Sequence, residues 1–128
     1  MQMKTDAITV TLGIFSGRPN PSLEILGSDA EQLAQLANAG FEGKASEPPP
    51  PPKLGRFHGF NVVASEAVQM RLKLPAQFRV YAGVLTAKRN REIGHWRDVA
   101  NLESFLLVQA QRAGHGELLA KVGVGRPG

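Results

Sequence analysis

Between Ile8 and Ile14 the apolar residues Ile8, Val10, Leu12 and Ile14 alternate with Thr9, Thr11 and Gly13. This is the period-two pattern of a strand with one buried face. Leu23 to Leu26 supplies a short returning strand, so FSGRPNPS, Phe15 to Ser22, reads as a hairpin connection of unusual length. Ser28 and Glu31 then have capping-box spacing, Leu33, Leu36 and Ala37 form an apolar stripe, and Gly40 suits the position after a last helical turn. Together they predict a helix from about Asp29 to Ala39.

Phe60 to Ala64 predicts a third strand, and Val68, Met70, Leu72 and Leu74, alternating with Gln69, Arg71 and Lys73, predict a fourth that Pro75 ends. Phe78, Val80, Ala82 and Val84 alternate with Arg79, Tyr81, Gly83 and Leu85 as a fifth, and a sixth follows a basic turn near Ile93 to Arg97. Leu102, Phe105, Leu106, Gln109, Ala110 and Ala113 mark a last helix, capped by Asp98 or Asn101 and ended by Gly114.

Alternating strands with one apolar face favour an antiparallel sheet, and amphipathic helices favour covering that face. The predicted fold is an α+β two-layer sandwich, a mainly antiparallel sheet of five or six strands with two helices on one face. Thr9, Thr11, Gln69, Arg71, Lys73, Arg79 and Tyr81 would then share the outer face. VTLGIFSGRPNPSL from Val10 and VYAGVLTAKRNREI from Val80 also align without a gap. The alignment raises a ββα unit used twice, against the alternative that any two amphipathic hairpins share such residues.

A chain of 128 residues with 42% hydrophobic and 20% charged content suits one domain, residues 1–128, that needs no staple to fold. Residues 42–56 contain the consecutive prolines Pro48 to Pro52 and predict an exposed connection, a spacer or a polyproline ligand; the tail 121–128 reads as loose. There is no Cys, so disulfides, a thiolate nucleophile and Cys-based zinc sites are excluded. The first residues lack the unbroken apolar run of a signal peptide, and no stretch is long enough to span a bilayer, which predicts a cytoplasmic protein with no membrane partner.

Charge is unevenly distributed. Residues 1–52 carry three basic against six acidic side chains, whereas residues 53–97 carry nine against two, a local charge of +7 within a chain of net +4. The basic region favours anionic partners.

Gly17, Pro19 and Pro21 leave FSGRPNPS few conformations, which lowers the ordering cost of binding through Ser16, Arg18 and Asn20. Its purely structural role would be hairpin closure, with Asn20 bonded to the loop backbone. A second cationic feature is the turn Lys88, Arg89 and Arg91. These residues predict a non-catalytic binding or accessory protein that recognises an acidic protein surface or a small anionic ligand. The alternative is single-stranded nucleic acid on a basic sheet face formed by Arg71, Lys73, Arg79, Tyr81, Trp96 and Arg97, with Phe57 or Phe60 as further stacking residues.

The sequence also offers one enzymatic reading. His95 and Asp98 form the one close His and carboxylate pair, a candidate acid-base couple that lacks a nucleophile. His58, His95 and His115 have no metal-ligand spacing, GIFSG is not a nucleophile elbow, and GVGRPG has no following helix to hold a phosphate. No catalytic residue, metal or cofactor is predicted.

Overall fold

Among the described residues, six strands form one antiparallel sheet in the order β2-β1-β3-β4-β5-β6. They are β1 (Ile8–Leu12), β2 (Ser22–Ile25), β3 (Phe60–Ala64), β4 (Gln77–Tyr81), β5 (Val84–Arg89) and β6 (Glu92–Arg97). The helices are α1 (Gly27–Phe41), α2 (Glu66–Leu72), α3 (Leu102–Ala110) and α4 (Gly116–Lys121), the last two separated by a kink at Gly114. The computed structural model describes residues 7–14, 20–51, 57–89 and 91–121.

Register makes the core. Leu12, Phe60, Val80, Leu85 and Trp96 stand opposite one another in successive strands, and Val10, Val62, Phe78, Ala87 and Gly94 form the neighbouring row. Onto these rows α1 packs Leu33, Ala37 and Phe41, and α3 packs Leu102 and Leu106, in one buried cluster. Phe41 meets Phe78 and Trp96 edge-on, with ring centroids 5.3 and 5.2 Å away. Gly40 lies inside α1, where a methyl group would strike Leu85 Cδ1 and come 3.1 Å from the Arg97 carbonyl oxygen. It serves close helix-to-sheet contact and is not the residue that ends the helix.

Two predicted strands fold otherwise. Residues 68–74 belong mainly to α2: Ser65 accepts a hydrogen bond from the Val68 amide, Lys73 takes the left-handed conformation after the last turn, and Pro75 follows. Val68 is buried and Leu72 half-buried on one helical face, while Met70, one of the alternating apolar positions, is 83% exposed. Glu, Ala, Gln, Met, Arg and Leu are strong helix formers, and this preference outweighs the short alternation. Arg71 and Lys73 therefore leave the sheet, and Arg71 pairs with Glu31 of α1 at 3.5 Å.

The stretch from Phe78 to Leu85 is a hairpin and not one strand. Ala82 (φ 53°) and Gly83 (φ 78°) form its two-residue turn, the backbone conformation that matches strand twist. Glu103 accepts hydrogen bonds from both turn amides, at 3.2 and 2.8 Å, and the Asp98 amide donates to the Gly83 carbonyl at 2.9 Å. Gly114 takes a non-helical conformation, φ 97°, and breaks the helix where the sequence places its end, after which the short α4 runs to Lys121. Residues 122–128 lie outside the described residues.

The proline-rich connection starts as a strap on the sheet. Ser46 donates to His95 and Arg97 to Lys44 through backbone bonds of 2.8 and 3.0 Å, so Lys44–Ser46 covers part of the outer edge of β6. Pro48, Pro50 and Pro51 are exposed, and residues 52–56 lie outside the described residues. No helix among the described residues is long and apolar enough to cross a membrane.

Two substitutions test this reading. Asp98 accepts the Leu102 and Glu103 amides at 2.6 and 2.8 Å, so Asp98→Ala should lower unfolding free energy by about 1–2 kcal/mol in denaturant titration. Ala82→Asn places a residue tolerant of positive φ in the turn and should raise stability by about 0.5–1 kcal/mol, read as a higher melting temperature.

Candidate functional site

Strand parity sends the alternate residues to the opposite face of the sheet. There Ser22, Thr11, Asn61, Arg79, Thr86 and His95 form one row that crosses all six strands in register. Five inter-strand steps make the row about 24 Å long. The helices bury their apolar residues in the core on the other side, so no described helix covers this face.

Several of its polar side chains are held by their neighbours. Gln77 Nε2 donates to Asn61 Oδ1 at 3.0 Å, and the Thr86 hydroxyl and His95 Nδ1 are 3.0 Å apart. Arg79 donates from Nε to the His58 carbonyl oxygen at 2.9 Å, and its Nη2 donates to the same oxygen. Its guanidinium also lies over the Tyr81 ring, 5.1 Å from the centroid.

The His58 carbonyl is available to Arg79 because the β1–β3 ladder is irregular at its end. Gly13 donates to Gly59 and accepts from His58, so two residues oppose one, the pairing of a β-bulge. Gly59 has φ +109°, and a Cβ there would lie 2.8 Å from Tyr81 Cβ and 2.9 Å from the Val80 carbonyl oxygen. Only glycine fits both that conformation and that approach. A sequence feature thus positions the central cation: the bulge exposes a carbonyl and the carbonyl orients the arginine.

Two shallow depressions meet at this arginine. One, of about 320 Å³, is lined by Asn61, Gln77, Arg79, Thr86, Lys88 and Ile93 among others. The second, of about 310 Å³, lies between Gly13, His58, Gly59, Asn61 and Arg79. The outward positions of β3 to β6 include Arg79, Lys88 and Arg97 but no Asp or Glu. The carboxylate of β6, Glu92, has the opposite parity, and the outward carboxylate Glu24 stands on β2, at the far edge from Lys88 and Arg97. A groove of about 440 Å³ between α1 and α3 contains both Asp29 and Arg112 and has no such bias of sign.

The predicted site residues are divided by this geometry. Arg79, Tyr81 and Arg97 share the open face, and Lys88 joins them from the basic turn. Arg71 and Lys73 sit on α2 and at its end, on the helix side. Trp96 has the parity of Leu85 and packs edge-on against Phe41, while Phe57 and Phe60 are buried. None of these three aromatic rings is part of the open face.

Asn20 accepts the Ile14 amide at 3.0 Å, the backbone-closing role foreseen for it. It stands at the end of the sheet where Leu12 bonds to Pro21, whereas Arg91 follows the Arg89–Glu92 pair at the opposite end and the far side of the sheet. Asn20 and the basic turn are thus not neighbours. Ser16, Arg18 and the side chain of Arg89 lie outside the described residues. His95 and Asp98 do not pair: His95 bonds to Thr86, and both Asp98 oxygens cap α3. Among the described residues no group of three or more His, Asp or Glu is placed to hold a metal ion.

The chain matches no protein-family model, no curated protein and no solved structure. The open face therefore rests on its own chemistry. Asn61, Gln77, Thr86 and His95 were not singled out from the sequence as members of a face, because their shared side follows from register between strands far apart in the chain. Gly59 alone carried a local signal, a glycine just before a strand.

Gly59→Ala should lower unfolding free energy by about 2–4 kcal/mol, because it adds both positive-φ strain and a backbone clash. In a spectrum of the folded fraction, the Arg79 Nε resonance should shift as the His58 contact loosens. A stable variant with an unshifted Arg79 signal would refute the link between bulge and arginine.

Proposed function

We propose that this is a non-catalytic binding protein that takes an acidic segment of a partner protein on its open sheet face. The observation that carries the reading is the set Arg79, Lys88 and Arg97, displayed without a carboxylate on the outward positions of β3 to β6. Such a face steers an acidic partner and disfavours a basic one.

The spread of the cations favours an extended partner over a small anion. Lys88 and Arg97 stand near opposite ends of the β5–β6 hairpin, about 13 Å apart along the strands. A small ligand reaches one of them, while an extended acidic chain reaches both. Nucleic acid is the less favoured partner because single strands are held largely by aromatic stacking. Trp96, Phe57 and Phe60 are withdrawn from the face, and Arg79 already lies over Tyr81.

Titration with a hexaglutamate peptide, followed by backbone amide shifts, tests the proposal. Perturbations should centre on Asn61, Gln77, Thr86 and His95 and weaken as salt screens the charges. Lys88→Glu combined with Arg97→Glu should reduce affinity by about tenfold or more, while stability changes by less than about 0.5 kcal/mol per exposed site. Shifts confined to the α1–α3 groove, or tighter binding of oligothymidylate than of hexaglutamate, would overturn it.

A further inference from the structure

We infer that Arg79 and Asn61 form a carboxylate-binding subsite at the centre of the open face. The inference rests on the acidic-segment reading and names the side-chain class that the segment must present: an aspartate or glutamate carboxylate.

The side-on edge of the Arg79 guanidinium, Nε and Nη2, is committed to the His58 carbonyl. Its end-on edge, Nη1 with the second hydrogen of Nη2, makes no ion pair and no hydrogen bond among the described residues. Two parallel N–H groups on such an edge match the two oxygens of a carboxylate. The side-chain contact with His58 and the ring of Tyr81 hold the guanidinium plane before any ligand arrives, which lowers the ordering cost of binding.

Asn61 stands directly opposite Arg79 on the neighbouring strand. Because its Oδ1 accepts from Gln77 Nε2 at 3.0 Å, the amide is oriented with Nδ2 as its remaining group, and Nδ2 can only donate. The pair thus offers one fixed positive charge and an additional donor. Both depressions are lined by this same pair, so an oxyanion can approach it from either side.

The spacing of the cations sets the ligand class. Lys88 lies one strand across and two residues along from the position opposite Arg79, about 8 Å away by strand geometry. Arg79 by itself balances a monoanionic carboxylate, and at that spacing Lys88 is placed for the next acidic side chain of the same segment, whereas a phosphate monoester of up to two charges would draw both cations to one group.

The test compares hexaglutamate with hexaphosphoserine on the full chain, using wild type, Asn61→Asp, Arg79→Lys and the Lys88→Glu/Arg97→Glu double variant, each checked for an unchanged melting temperature. Asn61→Asp keeps an acceptor for Gln77 but sets a negative charge beside Arg79. It should weaken hexaglutamate binding by about tenfold with the fold intact, and Arg79→Lys should do the same by removing the fork. If both single variants bind hexaglutamate as wild type does while the double variant does not, the subsite is wrong and the acidic-segment reading stands. If wild type fails to bind hexaglutamate at millimolar concentration, both fall. Tighter binding of hexaphosphoserine that Asn61→Asp abolishes would overturn the assignment to carboxylate.

Discussion

The in-register row of Leu12, Phe60, Val80, Leu85 and Trp96 is the constraint on which the rest of this structure depends. Each of these residues turns towards the helices, and in a pleated sheet that choice dictates the side taken by every neighbour. A slip of one residue in β4 would bury Arg79 and Tyr81 and expose Phe78 and Val80. The cost of burying an unpaired charge makes such a slip prohibitive. The hydrophobic core therefore determines the polar face as firmly as it determines itself.

That polar face is organised by its borders. At one end the Gly13–Gly59 irregularity frees the His58 carbonyl, and Arg79 spends part of its hydrogen-bonding capacity there. At the same end Glu103 and Asp98 tie the Ala82–Gly83 turn to the start of α3, so the β4–β5 hairpin carrying Arg79 and Lys88 is fastened to the helical layer. Lys44–Ser46 fastens β6, which carries Arg97, from the side. The cations thus sit on three successive strands, β4 to β6, fastened at the β4–β5 turn and along the outer edge of β6. This is the arrangement that lets charged side chains act from fixed positions.

The parts legible in the chain were those set by local pattern. Ile8 to Leu12 and Phe60 to Ala64 show their alternation, the stripe of Leu33, Leu36 and Ala37 announces α1, and Asp98 stands where a cap is needed. Residues 68–74 misled because a short alternation and a two-turn helix share their apolar positions, and the strong helix formers around Val68 decided the outcome. Between Phe78 and Leu85, Gly83 was the visible sign of a turn, but Ala82 beside it is an unusual partner at positive φ. The basic character of residues 53–97 was plain, yet its division between α2, the core side and the open face was not.

By itself the sequence determined an α+β fold with an antiparallel sheet, a core-facing side for most strands and a cationic surplus in its middle third, because these follow from residue type and spacing. Tertiary structure decided which charges act together. Arg71 pairs with Glu31 across two helices, Trp96 turns inward to Phe41, and Asn61, Arg79, Thr86 and His95 meet in a row. Those neighbours come from strands up to 34 positions apart in the chain, Asn61 and His95 being the extremes, and only the register of the folded sheet brings them together.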